Sequence, residues 1–213
     1  MASLAVTVLA TTPADFAARI ERIKPFVQRL HIDLGDGELI PTKTISLAQV
    51  YDIDDVPTDL HLMIKDPTAQ TESIISFGPS LVICHAEATG DLIGLFQQLR
   101  EVGIKVGLAL EAETSVDAVK DRLADLDHLL IFTGDHLGFN RSQFQPESLA
   151  KIAAAKAINP KLEIGVDGGI NPETAEQAVG AGADVINTGG FVHDAPDPAA
   201  AYAQLAAIVE GKL

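Results

Sequence analysis

Two histidines and two aspartates interrupt apolar runs. His31 and Asp33 stand two apart in HIDLGDGELIP, His61 lies in DLHLM, and Asp167 precedes a glycine pair in VDGGINPET. Burying two imidazoles and two carboxylates together is costly, and a divalent cation relieves that cost directly. A set of two nitrogens and two oxygens suits Zn, Fe(II), Mn or Co better than Mg or Ca, which prefer oxygen alone. A lone histidine at a strand end is more often a hydrogen-bonded structural group, and Asp before Gly-Gly is often turn chemistry. It is the four together that weaken this reading. His85, Asp59 and Glu87 carry structural and functional readings with equal weight. His128, at the start of its run, and His193, beyond the last run, do not fit as ligands.

The chain that must position these residues alternates. Eight short β-rich runs (LAVTVL, LHIDL, TDLHLM, LVICHA, KVGLAL, HLLIF, LEIGV, DVINT) are separated by segments with helical spacing, such as PADFAARIERIKPFVQRL and PETAEQAVGAG. Gly78, Gly103 and Gly182 stand where helix ends want a residue free to adopt positive φ. Eight strand–helix units in 213 residues predict an α/β fold, a parallel sheet closed into a (β/α)8 TIM barrel. An open doubly wound sheet is the alternative, but the first run lacks a Gly-x-Gly-x-x-Gly turn. No linker or low-complexity segment divides the chain, so residues 1–213 read as one domain.

In such barrels the chemistry sits at the C-terminal ends of the strands. The ends of the second, third, fourth and seventh runs carry the ionisable groups, with Asp59 counted among those of the third. A period of two puts His31 and Asp33 on one face. Gly168 and Gly169, followed by Asn171 as N-cap and Pro172 at the first helical position, pair with Gly189 and Gly190 after the last run. The loops after strands seven and eight form the common phosphate cradle of these barrels, where peptide N–H groups hold the anion without lysine.

That matters because the chain is acidic: 15 basic residues against 30 acidic give a net charge of −15. Such a charge repels nucleic acid and anionic membranes and favours a small-molecule partner. No apolar stretch approaches the roughly 20 residues needed to span a bilayer. MASLAVTVLA has no basic residue ahead of its short apolar run and reads as a first strand rather than a signal peptide. Cys84 is the only cysteine, which rules out an internal disulfide and fits a reducing, cytoplasmic setting. A homo-oligomer is left open.

HIDLGDGELIP, DLHLMIKDP, VICHAEA, GLALEAET and VDGGINPETAEQAVGAGADVINTGG, in that order, resemble the successive motifs of ribulose-phosphate 3-epimerases over nearly the whole chain. The resemblance implies a (β/α)8 barrel with a divalent metal held by His31, Asp33, His61 and Asp167, and with Asp33 and Asp167 as acid and base. On the substrate side stand Thr7, Met63, Gly138, Gly168, Gly169, Gly189 and Gly190; Arg141, a lone cation in a long stretch of an acidic chain, carries the readings of phosphate clamp and solvated loop residue with equal weight. Departures are concentrated there. A methionine that caps the metal site in the family is Gly35 here, a second is Phe132, and Met63 keeps the third. The family's Asn-Pro-Gly-Phe-Gly-Gly-Gln loop after strand six reads Gly134 to Gln143, without its glycine pair, and Asn140, Arg141 and Ser142 stand where small residues are usual. The family's Gly-Ser after strand eight is Gly189-Gly190, and the first-strand serine is Thr7.

Epimerisation at C3 of a ketose phosphate removes a proton beside a carbonyl and returns it to the opposite face through an enediolate, which needs two bases facing each other across the site. Three readings follow: a metal-dependent epimerase acting on ribulose 5-phosphate or a related sugar phosphate; another phosphate-binding barrel enzyme, a decarboxylase or aldolase; and a non-catalytic phosphosugar-binding paralogue. Against the second, Asp59-Leu60-His61 lacks the lysine of an Asp-x-Lys-x-x-Asp signature. Against the third, both carboxylates are retained.

Overall fold

Each of the eight β-rich runs forms a strand. The computed structural model describes residues 1–51, 55–139 and 141–211. In it β1 (Ser3–Leu9), β2 (Leu30–Gly35), β3 (Thr58–Met63), β4 (Leu81–His85), β5 (Lys105–Leu110), β6 (His128–Phe132), β7 (Glu163–Asp167) and β8 (Val185–Thr188) pair in chain order, all parallel, and β8 returns to β1. The sheet is a closed (β/α)8 barrel, not an open doubly wound one.

Helix α1 (Pro13–Ile23) follows β1, α2 (Thr71–Phe77) follows β3, and α3 (Leu92–Glu101) follows β4. After β6 comes α4 (Ala150–Ile158), after β7 α5 (Pro172–Gly180), and after β8 the short α6 (Gly190–His193) and then α7 (Pro198–Val209). The expected alternation fails at two units. Among the described residues β2 is followed only by a 3-10 turn at Leu47–Gln49, and β5 only by 3-10 segments at Val116–Ala118 and Lys120–Asp125. Val116 and Val119, both buried, are three apart, the spacing at which 3-10 side chains align. Helix α1 stops at Ile23, inside the helically spaced segment PADFAARIERIKPFVQRL, because Pro25 has no N–H to continue the ladder and crowds the preceding turn. Its start is as the sequence implies, with Thr12 Oγ1 accepting the Asp15 N–H at 3.1 Å. Gly78, Gly103 and Gly182 all take positive φ at the helix ends.

Outward strand residues such as Ile32, Leu60, Val82, Leu108 and Val166 pack with Phe16, Ile20, Leu95 and Leu205 of the helices in one large apolar core. Among the described residues Leu81, Ile83, Ala109 and Leu130 form a small apolar cluster of the barrel interior. Much of the remaining interior is polar and buried: His31, Asp33, Asp59, His61, His85, His128, Asp167 and Asn187.

The N-terminal end of the barrel is closed by an ionic network. Arg29 donates from Nε to Asp59 Oδ2 at 2.7 Å and from Nη2 to Glu163 Oε2 at 3.0 Å, and His128 Nδ1 lies 2.7 Å from the same Glu163 oxygen. Asp59 therefore sits at the start of β3, at the stability end of the barrel, and does not share the mouth with His61. His128 fits there because Gly165 lacks a side chain; a Cβ would come within 2.5 Å of His128 Nε2.

Candidate active site

Beyond β2 the chain turns at Asp36, whose Oδ1 accepts the N–H groups of Glu38 and Leu39 and whose Oδ2 accepts that of Lys65. This knits the β2 loop and holds Ile40 against the barrel mouth. A Cβ on Gly35 would lie 2.8 Å from Ile40 Cδ1, and one on Gly138 would lie 2.3 Å from it. Ile40 thus fills the notch between β2 and the β6 loop, joining Leu9 and Met63 in an apolar cap. Ile40, five residues beyond Gly35, lies in the space that a side chain at Gly35 would need.

At the C-terminal end of the barrel a cleft of about 320 Å³ is lined by Asp33 and Asp167, by the substrate-side positions read from the sequence, Thr7, Met63, Gly138, Gly168, Gly169, Gly189 and Gly190, and by Arg141. Phe132, Asn187 and Phe139 also line it. A larger cavity of about 660 Å³ opens at the opposite end, but its main charged groups, Arg29, Asp59 and Glu163, are already paired with one another. The smaller cleft is the one that brings Asp33 and Asp167 together with the glycine pairs.

His31, Asp33, His61 and Asp167 are all buried and offer ligand atoms within 4.8 Å of one another. Asp33 and His61 are partners across the β2–β3 ladder, and His61 Nδ1 lies 2.8 Å from Asp33 Oδ1. His31 Nε2 is 3.4 Å from the same oxygen. Neither ring nitrogen of His31 has a hydrogen-bond partner within the protein, although the ring is fully buried. Orphaned buried nitrogens facing carboxylates are a standing cost that a cation accepting their lone pairs removes. The four residues fit a metal ion.

The two carboxylates differ sharply. Burial opposes ionisation of Asp33, but the facing imidazoles of His31 and His61 outweigh it and hold the group well below the ordinary carboxylate range. Burial and then the negative charge of Asp33 push Asp167 up to about 7. One carboxylate is thus charged where the other still holds a proton. A raised native pKa contributes stability that is complete below the unfolded value and lost as pH rises through the native one. In metal-free protein, Asp167→Asn should therefore gain stability relative to wild type between about pH 4 and pH 7 and level off above. Thermal melts in chelator across that range check this; a pH-independent difference would show that Asp167 is not held protonated.

Gly168 and Gly169 adopt φ of 106° and 71°, and added Cβ atoms would meet Gly134 N at 2.4 Å and Phe144 N at 2.6 Å. Their bareness lets the base of the β6 loop lie directly on β7. Asn171 caps α5 by accepting the N–H groups of Glu173 and Thr174, with Pro172 at the first position. In the β6 loop Ser142 Oγ donates to His136 O at 2.8 Å, a contact that shapes the loop. Asn140 lies outside the described residues. Arg141 takes φ of +66°, an unfavourable value for a non-glycine residue, and its Nε donates to Asp194 Oδ2 at 2.9 Å. Its stem lies beside Gly190, where a Cβ would be 3.7 Å from Arg141 Cγ.

Sequence reasoning missed Ile40 and Asn187. Asn187 is the register partner of Asp167, is buried, and leaves its Oδ1 without a partner. An amide inside the DVINT run was a signal that could have found it. His193 places Nε2 2.9 Å from Thr7 O.

Residues 3–193 match the model of the ribulose-phosphate 3 epimerase family. A ribulose-phosphate 3-epimerase of Mycobacterium tuberculosis is 37% identical over 183 residues, 83% of this chain and 80% of its own. That of Bacillus subtilis is 33% identical over 204 residues, 90% of this chain and 94% of its own. Among solved structures, the 3-hexulose-6-phosphate synthase of Salmonella typhimurium superposes with a TM-score of 0.76 at 16% identity, covering 99% of this chain and 100% of that one. The 3-keto-L-gulonate-6-phosphate decarboxylase of Vibrio cholerae gives 0.74 at 13%, covering 99% and 98%. At such identity these two share the barrel and nothing further is inferred from them. The relatives above 30% identity go beyond architecture: the chain belongs to the ribulose-phosphate 3-epimerase family and is an isomerase-class enzyme, an epimerase.

Proposed function

We propose that the protein inverts C3 of a ketose phosphate, interconverting ribulose 5-phosphate and xylulose 5-phosphate or a closely related pair, in the cytoplasm. The observation that carries this reading is the pair of buried carboxylates, Asp33 and Asp167, at one end of a cleft that also reaches two glycine pairs. Asp33, ionised, takes the C3 proton from one face; Asp167, protonated, delivers one to the other, and the roles exchange in the reverse direction. His31, Asp33, His61 and Asp167 would hold a divalent transition metal, Zn, Fe(II), Mn or Co. Bound there, the ion would stabilise negative charge on the substrate oxygens next to the reacting carbon. Leu9, Met63 and Ile40 form a dry cap over this end. Thr7 and Asn187, which line the cleft and have buried polar atoms lacking partners, would meet sugar hydroxyls. The direct test is a ketose-phosphate panel assayed for epimerisation with chelator and after metal is returned; activity untouched by chelation would remove the metal from the account.

For the phosphate end, Gly168, Gly169, Gly189 and Gly190 offer close backbone approach, and the first amides of α6 lack intrahelical partners. Arg141 leans over Gly190 from the β6 loop and completes this cradle. Its side chain is 76% exposed and shared with Asp194, so the contact is worth less than a buried one. Arg141→Ala should weaken binding of the phosphorylated sugar by roughly tenfold, the low end for a charge-assisted hydrogen bond, and leave metal content unchanged. Titrations with the sugar phosphate and its dephosphorylated counterpart decide it, since an equal loss for both would exclude a phosphate contact.

A further inference from the structure

Strand β8 carries one amide that the proton transfers do not use. Ile186 packs in the outer apolar core, so the alternation of the strand turns Asn187 inward, where it lines the cleft although it is only 1% exposed. The amide's orientation is fixed by what it meets. Asn187 Nδ2 donates to Val166 O at 3.3 Å, and because a carbonyl oxygen only accepts, the NH2 group and not Oδ1 must face it. Among the described residues Oδ1 has no hydrogen-bond partner. A buried amide oxygen without a donor carries a cost that a donor entering the cleft removes. Thr7 Oγ1, on the strand paired with β8, is likewise buried and unpartnered and lines the same cleft.

Its place along the cleft decides which group it meets. Asn187 is the partner of Asp167 in the β7–β8 ladder, and Gly189 and Gly190 follow it two and three residues later. It stands between the carboxylate that serves C3 and the glycine pair at the phosphate end. In a ketose 5-phosphate the carbon between those two points is C4, which carries a hydroxyl. That hydroxyl can donate to Asn187 Oδ1 and at the same time accept from Thr7 Oγ1. A carbonyl or an ionised phosphate oxygen has no hydrogen to give Oδ1.

We propose that Asn187 accepts the C4 hydroxyl of the substrate through Oδ1 and makes the site selective for ketose phosphates that carry one. The proposal rests on the reading of the cleft as an epimerase site with its phosphate end at the glycine pairs. Asn187 is a specificity-determining residue and takes no part in moving the C3 proton. An analogue without the C4 hydroxyl would seal Oδ1 into the complex unpaired. A site built to bond a hydroxyl rejects such an analogue far more strongly than an apolar site rejects an added hydroxyl.

Changing ligand and protein together isolates this contact. Metal-loaded wild type, Asn187→Leu and Asn187→Val are titrated by calorimetry with ribulose 5-phosphate and with its 4-deoxy analogue, and kcat/KM is measured for both. Leu keeps the shape of the amide without its polar atoms, and Val suits a strand. Wild type should prefer the hydroxylated ligand by roughly ten- to a hundredfold, and either variant by no more than about threefold. Equal affinity of wild type for the two ligands overturns the proposal and requires no variant to fold. So does a variant that binds both ligands more weakly but keeps the wild-type ratio, the result expected of an amide that only supports the barrel. Wild type that binds with an Asn187-dependent preference but epimerises neither ligand defeats the reaction reading and leaves the proposal standing. Binding of neither ligand defeats both.

Discussion

Asp167→Asn and Asp33→Asn are each expected to lower epimerisation by about 10²- to 10⁴-fold, the usual worth of one positioned acid or base. The loss follows from stereochemistry. Inversion needs a proton removed on one face and supplied on the other, and an amide can do neither at neutral pH. Both positions also belong to the candidate metal set, so occupancy must be measured in each variant by elemental analysis. In a variant that keeps its metal, the surviving carboxylate should still exchange solvent deuterium into one epimer but not the other. Turnover at the wild-type rate in metal-replete Asp167→Asn would eliminate the two-base scheme.

Removing the guanidinium at the other end of the barrel should act on stability and not on chemistry. Arg29 is mostly buried between Asp59, itself buried, and Glu163, which also faces His128. Arg29→Met keeps the aliphatic stem but leaves Asp59 with an uncompensated buried charge. Breaking one partner of a buried pair costs roughly 3–5 kcal/mol. For a chain of this length that corresponds to a fall in melting temperature of about 6–20 °C. The distance from the cleft implies an unchanged KM in the protein that remains folded. A melting temperature within a degree or two of wild type would show that the network is solvated and contributes little.

The barrel was legible because eight apolar runs with intervening helical spacing leave few alternatives, and every strand boundary lies within one residue of its run. The four candidate ligands were legible for a related reason: ionisable side chains inside apolar runs have few bland explanations when four occur together. What the sequence concealed were contacts between distant segments. Arg29 and Glu163 are 134 residues apart, and nothing local marks either as the seal of a barrel end. Asp59 was read as part of the mouth because it shares a run with His61, although a residue at the start of a parallel barrel strand belongs at the opposite end. Ile40 could not be found from spacing, since its role depends on two glycines, Gly35 and Gly138, that meet only when the β2 and β6 loops come together. The general alternation implied a helix after β5, where the described residues form 3-10 segments instead. Pro25, by contrast, was visible in the sequence and should have ended the first helix earlier.

The central claim is that metal-dependent proton exchange at C3 occurs between Asp33 and Asp167. Incubating the metal-loaded protein with ribulose 5-phosphate in D₂O and following C3 by NMR tests it most directly. The account predicts solvent deuterium at C3 of both epimers as they equilibrate, loss of that exchange when the metal is stripped, and its return when metal is added back. Epimerisation without deuterium at C3, or the absence of exchange in a metal-replete sample, would contradict it.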